Sequence, residues 1–218
     1  MSPSKSRRRI THKKKSSNKK IIMIVALLAV VAVAVVGYVM LGNNSSINSS
    51  GDNLPSTNKV MLVTSMGNIV IELRHDMPIT TTNFKKLVLQ GVYDGTIFHR
   101  VVNLPQNLVM IQGGDPTRTG YGDPSIPNIQ DEFSENPENN RNERGTIAMA
   151  NTGGPNSGSS QFFINAAYNS HLDNVHPVFG DVIEGMDVVD AIVNVETDGE
   201  PYNRPLETVT LIKAYFVD

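Results

Sequence analysis

IIMIVALLAVVAVAVVGYVML, residues 21–41, is a run of 21 residues without a charge, and nothing else in the chain restricts its folding as strongly. Wound as a helix at about 1.5 Å per residue it spans roughly 31 Å, which matches a bilayer core of about 30 Å. A cleaved secretory core is shorter, about 7–15 residues, and ends on small side chains. This run closes on Tyr38, Met40 and Leu41, so the sequence predicts an uncleaved transmembrane anchor. Residues 1–20 hold nine Lys/Arg and no acid, whereas all 21 Asp/Glu follow the run together with the other ten of the nineteen basic residues. Basic flanks stay in the cytoplasm. The expected topology is therefore single-pass in the cell membrane, with residues 1–20 as a cytoplasmic tail and the body extracytoplasmic. Directly before an apolar helix, the basic tail reads as a topology signal that touches anionic lipid heads. The acidic body carries no nucleic-acid footprint.

Residues 42–58, rich in Gly, Ser and Asn, read as a flexible linker. Asn43, Asn44 and Asn48 each open an N-x-S triplet, a glycan-acceptor pattern that any Asn/Ser-rich stretch produces by chance. The chain has no cysteine, so neither disulfides nor thiolate metal sites support it. The body, residues 59–218, must stand on its own core. VMLVTSMGNIVIELR reads as a hairpin turning at Met66-Gly67-Asn68. In ITTTNFKKLVLQG, Phe84, Leu87 and Val88 take helical spacing, with threonines before and Gly91 after. Short apolar runs follow at 97–102, 108–112, 146–150, 161–165 and 178–183. A second helix places Met186, Val189 and Val193 on one face, and LETVTLIKAYFV closes the chain as a long strand. Many short strands with two isolated helices predict a barrel or sandwich rather than a doubly wound sheet.

Within IFHRVV, residues 97–102, alternation puts Phe98, Arg100 and Val102 on one face and His99 on the other. Arg100 then stands between two apolar neighbours. Its stem could cover them while the guanidinium reaches water, or the cation could serve a site; this stretch alone leaves both open. Two further strands pair an apolar side chain with an amide on one face: Met110 with Gln112, and Gln161 with Phe163. Such pairs suit a groove in which apolar groups cradle a side chain and amides bond a peptide backbone, although two strands can match by coincidence.

FHR, MIQGGD, GTIAMAN, SQFFIN and HLDNVHPVFG, in that order across residues 59–218, resemble the cyclophilin family of peptidyl-prolyl isomerases. The resemblance implies a closed eight-stranded antiparallel β-barrel capped by two helices. It implies that Arg100 is the catalytic arginine and that Met110, Phe163 and Leu172 form a proline pocket. Around the substrate it implies Gln112, Ala150, Asn151, Gln161 and His176. Phe98 within FHR, Val109 just before MIQGGD, and His171 at the rim complete the expected substrate-binding set. The implied reaction is cis–trans isomerisation of X–Pro bonds in proline-containing polypeptides, assisting folding outside the cytoplasmic membrane, with no cofactor and no metal. The alternative is a weakly catalytic or non-catalytic proline-peptide-binding chaperone or adaptor on the same groove.

Four departures from the family pattern bear on these expectations. Val109 stands where many cyclophilins carry phenylalanine, and His171 stands where members that bind cyclosporin tightly carry tryptophan. Cyclosporin is therefore expected to bind weakly. The segment between Arg100 and Met110 is four residues longer than usual, and one extra residue lies between Asn151 and Gln161. His171, Asp173 and His176 sit in a turn without a fixed face, which does not suit a metal site. The glycines of residues 151–160 lack the GK[ST] ending of a phosphate loop. His99 is expected to pack or support, turned away from Arg100.

Overall fold

A computed structural model describes residues 54–218; the tail, the anchor and most of the linker expected from the sequence lie outside the described residues. The body is mainly β, a single curled antiparallel sheet with two α-helices. The strands in chain order are β1 (Lys59–Thr64), β2 (Gly67–Leu73), β3 (Thr96–Ile97), β4 (Arg100–Leu104), β5 (Leu108–Gly113), β6 (Thr146–Met149), β7 (Phe162–Asn165), β8 (Val178–Glu184) and β9 (Thr210–Val217). The helices are α1 (Pro78–Leu89) and α2 (Met186–Val193). Across the sheet the strands run β3-β9-β1-β2-β8-β6-β7-β5-β4.

The β1–β2 hairpin forms where expected, one residue early: Thr64 pairs with Gly67 around Ser65-Met66. The Thr64 hydroxyl donates to the Gly67 carbonyl at 2.7 Å. Gly67 adopts φ 138°, a conformation closed to most side-chain-bearing residues. Helix α1 starts on a proline, which fits a first turn whose N–H has no partner anyway. It buries Phe84, Leu87 and Val88 as its spacing predicts. Helix α2 buries Val189, Ile192 and Val193 and packs against β2, β4 and β5.

The barrel does not close as expected. Nine strands form a half-barrel, and no ladder joins its edge strands β3 and β4 among the described residues. Both edges come from one stretch of chain. After pairing with β9 through Thr96 and Ile97, the backbone leaves the ladder at Phe98-His99 and re-enters at Arg100 to pair with β5. Along this seam Val209 accepts from the Phe98 N–H and Asn203 accepts from the Val101 N–H, so loop carbonyls satisfy groups that a closing strand would use. The one strand predicted over 97–102 is accordingly two, which adds the ninth.

Alternation gives the sheet two apolar faces. The inner face carries the main core, where Ile111, Ile147 and Ile164 meet both helices and an aromatic cluster of Phe84, Tyr93, Phe162 and Phe179. Ring centroids in that cluster stand 4.9–5.7 Å apart. The outer face carries a second, smaller cluster of Val102, Met110, Ala148, Ala150, Phe163 and Val178.

Candidate active site

The outer cluster is built by register. Arg100 lies opposite Gln112, Gln112 opposite Phe163, and Phe163 opposite Ala148. Directly paired residues share a face, so one row runs cation, amide, aromatic ring and small side chain across β4, β5, β7 and β6. In the next row Val102 lies opposite Met110. Met110 and Phe163 are 2% and 4% exposed, with Leu172 packed against their cluster from the short turn Ser170–Leu172.

A polar relay borders this apolar floor. Arg100 donates from Nη1 to Gln112 Oε1 at 3.4 Å, Gln112 Nε2 donates to Gln161 Oε1 at 3.0 Å, and Gln161 Nε2 donates to the Gly120 carbonyl at 3.1 Å. That fixes both amides where they line a cavity. Arg100 is half-buried, and burial lowers its pKa from the usual guanidinium value. It forms no ion pair among the described residues. A desolvated cation without a carboxylate is costly to keep, and here its one side-chain bond is long.

On the other side of Gln161, Ala150 and Asn151 border a cavity of about 660 Å³ shared with Gln112 and Gln161. Asn151 donates to the Val175 carbonyl at 3.2 Å and accepts from the Gly153 N–H at 3.0 Å. His176 contacts Phe163 edge-on, with centroids 5.3 Å apart, and its Nδ1 lies 3.0 Å from the Met149 carbonyl. A carbonyl only accepts, so Nδ1 carries the proton. Burial lowers the His176 pKa, and the Met149 carbonyl offsets this in part.

The structure thus brings Arg100, Met110, Gln112, Ala150, Asn151, Gln161, Phe163, Leu172 and His176 around one groove. His171 is exposed on the turn beside Leu172. Phe98 and Val109 stand apart from the groove. Phe98 is 1% exposed in the main core, because the chain leaves the ladder there and the alternation that paired it with Arg100 is lost. Val109 also packs against the main core, since it lies between Leu108 and Met110 on a regular strand and must face the other way. In its place the longer hairpin supplies Leu104 and Leu108, paired with each other and packed on the Met110/Phe163 cluster. The i, i+2, i+4 series Leu108, Met110, Gln112 was the sequence signal for this.

Two supports had no such signal. Asn169 accepts the Val109 N–H at 3.0 Å and donates to the Val109 carbonyl at 3.1 Å, clamping β5 where it enters the groove. Asp115, fully buried, accepts backbone N–H bonds from Thr117, Thr119, Gly120 and Gly122, which fixes the loop whose Gly120 carbonyl holds Gln161. Burial raises its pKa, but the Thr117 hydroxyl and those backbone bonds outweigh it and hold the carboxyl below the usual range. His99 is buried against Gly120 of that loop, its Nδ1 without a hydrogen-bond partner among the described residues and its pKa lowered by burial.

Residues 59–216 match the family model described as cyclophilin type peptidyl-prolyl cis-trans isomerase/CLD. The chain belongs to the cyclophilin family. The peptidyl-prolyl cis-trans isomerase-like 1 protein of Homo sapiens is 44% identical over 158 residues, 72% of this chain and 90% of that protein. The peptidyl-prolyl cis-trans isomerase ppi1 of Schizosaccharomyces pombe is 43% identical over 158 residues, 71% of this chain and 96% of its own. Among solved structures, a Cryptosporidium parvum cyclophilin crystallised in the presence of the dipeptide Ala-Pro superposes with a TM-score of 0.65 at 28% identity. That match covers 73% of this chain and 99% of the other. This cyclophilin is accordingly a peptidyl-prolyl cis-trans isomerase, on the fold and groove described above.

Proposed function

We propose that this cyclophilin turns X–Pro bonds by seating the proline ring on Met110, Phe163 and Leu172 and directing Arg100 at the prolyl nitrogen. Rotation about the peptide bond breaks amide resonance at a barrier of about 18–20 kcal/mol, and uncatalysed exchange takes about 10–100 s. Reaching milliseconds needs about 10⁴-fold, or roughly 5.5 kcal/mol. As the amide twists, its lone pair localises on nitrogen. A guanidinium there stabilises the twisted state more than the planar one, with no bond made or broken and no proton transferred. The observation that carries this reading is Arg100 itself, half-buried beside an apolar pocket without a carboxylate partner among the described residues. Gln112, Gln161 and Asn151 restrain the flanking backbone. The Ala-Pro dipeptide present with the Cryptosporidium parvum relative supports proline-containing polypeptides as the ligand class. The anchor and the charge bias before it support a placement on the outer side of the cytoplasmic membrane, where the enzyme assists folding. Exchange spectroscopy on an Ala-Pro peptide with the full chain tests the activity. Line broadening between cis and trans signals at catalytic protein concentrations is the expected result, and binding without exchange would point to the chaperone alternative.

A further inference from the structure

Two cavities of about 350 Å³ each adjoin the Arg100 side of the groove. Arg100, Gln112, Tyr121 and Arg204 line the first; Arg118, Tyr121 and Arg204 line the second. Among the described residues, neither has an Asp or Glu in its lining. This is unusual for a body whose acids outnumber its bases 20 to ten. Of the six arginines in the described residues, Arg74, Arg141, Arg144 and Arg204 form ion pairs, and the two that do not, Arg100 and Arg118, both line these cavities.

The backbone at Arg118 and the side chain of Arg204 are each held in place. Arg118 is exposed and sits at φ 61°, a left-handed conformation that sterics disfavour for any residue with a Cβ of that size. The loop around it is fixed by the four backbone N–H groups gathered on Asp115. Arg204 gives its backbone N–H and its Nε–H to Asp198, at 2.7 and 3.1 Å, and stacks its guanidinium 4.5 Å over the Tyr202 ring. Its two terminal nitrogens have no partner among the described residues. A planar fork with unused donors matches a carboxylate or phosphate.

We propose that these cavities form a subsite for an anionic side chain, carboxylate or phosphate, in the residues flanking the proline of a polypeptide substrate, held between Arg204 and Arg118. This rests on the isomerase reading, because the subsite takes its register from a proline seated beside Arg100. The general field of an acidic body repels such a ligand, and the three arginines reverse it locally. Exposed pairs in water are individually weak, so the selectivity expected from two arginines is about three- to tenfold.

The test is an NMR titration of the full chain with proline peptides carrying Glu, phosphoserine, Ala or Lys at either of the two positions on each side of proline. In at least one register Glu or phosphoserine should bind about three- to tenfold tighter than Ala, with Lys weaker. The ratio should shrink between about 20 and about 200 mM salt. Glu and phosphoserine arms tell carboxylate from phosphate, and a preference for either supports the subsite. The anion-to-Ala ratio should fall to near one in the double variant Arg118→Gln, Arg204→Gln and rise in Asp198→Asn, which frees Arg204. Each ratio is taken within one variant, so partial unfolding does not move it. A ratio near one for every register in wild type at low salt, or an unchanged ratio in the double variant, overturns the subsite. Exchange of the Ala peptide, read in the same samples, separates the two readings: no exchange sinks the isomerase, whereas exchange without charge preference sinks the subsite alone.

Discussion

Leu108 and Val109 are adjacent in sequence and face opposite ways, so truncating each should break a different property of this cyclophilin. Leu108 packs on the outer Met110/Phe163 cluster beside Leu104, and Val109 packs on the main core. Leu108→Ala removes about three methyl or methylene groups at about 0.8 kcal/mol each when fully buried. Leu108 is partly exposed, so roughly 1 kcal/mol of contact with a seated proline is lost, or about fivefold in affinity. The expected result is a KM for a short proline peptide raised about fivefold with kcat nearly unchanged, the signature of lost uniform binding. Val109→Ala should leave KM alone and lower stability by about 1 kcal/mol, since a cavity opens under a strand that Asn169 holds in place. Steady-state kinetics by exchange spectroscopy, with thermal melts on the same preparations, reads both. A raised KM in Val109→Ala with none in Leu108→Ala would refute the assignment of the two faces and restore Val109 to the pocket wall.

Acid should loosen the fold through its buried imidazoles. Burial lowers the pKa of His99 and of His176 from 6.5, so the unfolded chain binds more protons as pH falls below about 6.5, and stability drops there. The melting temperature should decline from pH 7 towards pH 5, and the double variant His99→Asn, His176→Gln should flatten that window; parallel curves would contradict it. Cyclosporin should bind at least about tenfold more weakly than to tryptophan-bearing cyclophilins, because an exposed imidazole at position 171 offers some 60–80 Å² less apolar contact. Calorimetry on His171→Trp should recover part of the loss, and equal affinities would place position 171 outside the drug site. External protease on intact cells should release the body by cutting within residues 42–58; a body protected until the membrane is breached would contradict the outward topology.

The strand and helix pattern was legible because period-two and period-3.6 spacing record which face meets the core, as in α1 with Phe84, Leu87 and Val88. Most of the groove was legible too, since Met110/Gln112 and Gln161/Phe163 advertise a face that is neither core nor plain surface. Two features misled the alternation. At Phe98-His99 the chain steps off the ladder, which left the half-barrel open and sent Phe98 inward. At Val109 the family pattern suggested a pocket residue, but the regular strand of the longer hairpin turns it to the core and presents Leu108 instead. The Asp115 knot and the Asn169 clamp were invisible for a different reason. A buried polar side chain that bonds backbone leaves no periodicity, and its partners are fixed only once the loops have folded.

The most direct test of the account is the activity of Arg100→Ala. Arg100 makes one long side-chain hydrogen bond and no ion pair among the described residues, so its loss should leave the melting temperature nearly unchanged. The kcat/KM for an Ala-Pro peptide, measured by exchange spectroscopy, should fall at least about 100-fold, roughly 2.7 kcal/mol of transition-state stabilisation. Arg100→Lys should recover only part, because a point charge lacks the planar fork. An Arg100→Ala enzyme that melts like wild type and retains activity within a few-fold would contradict the central claim that this guanidinium stabilises the twisted amide.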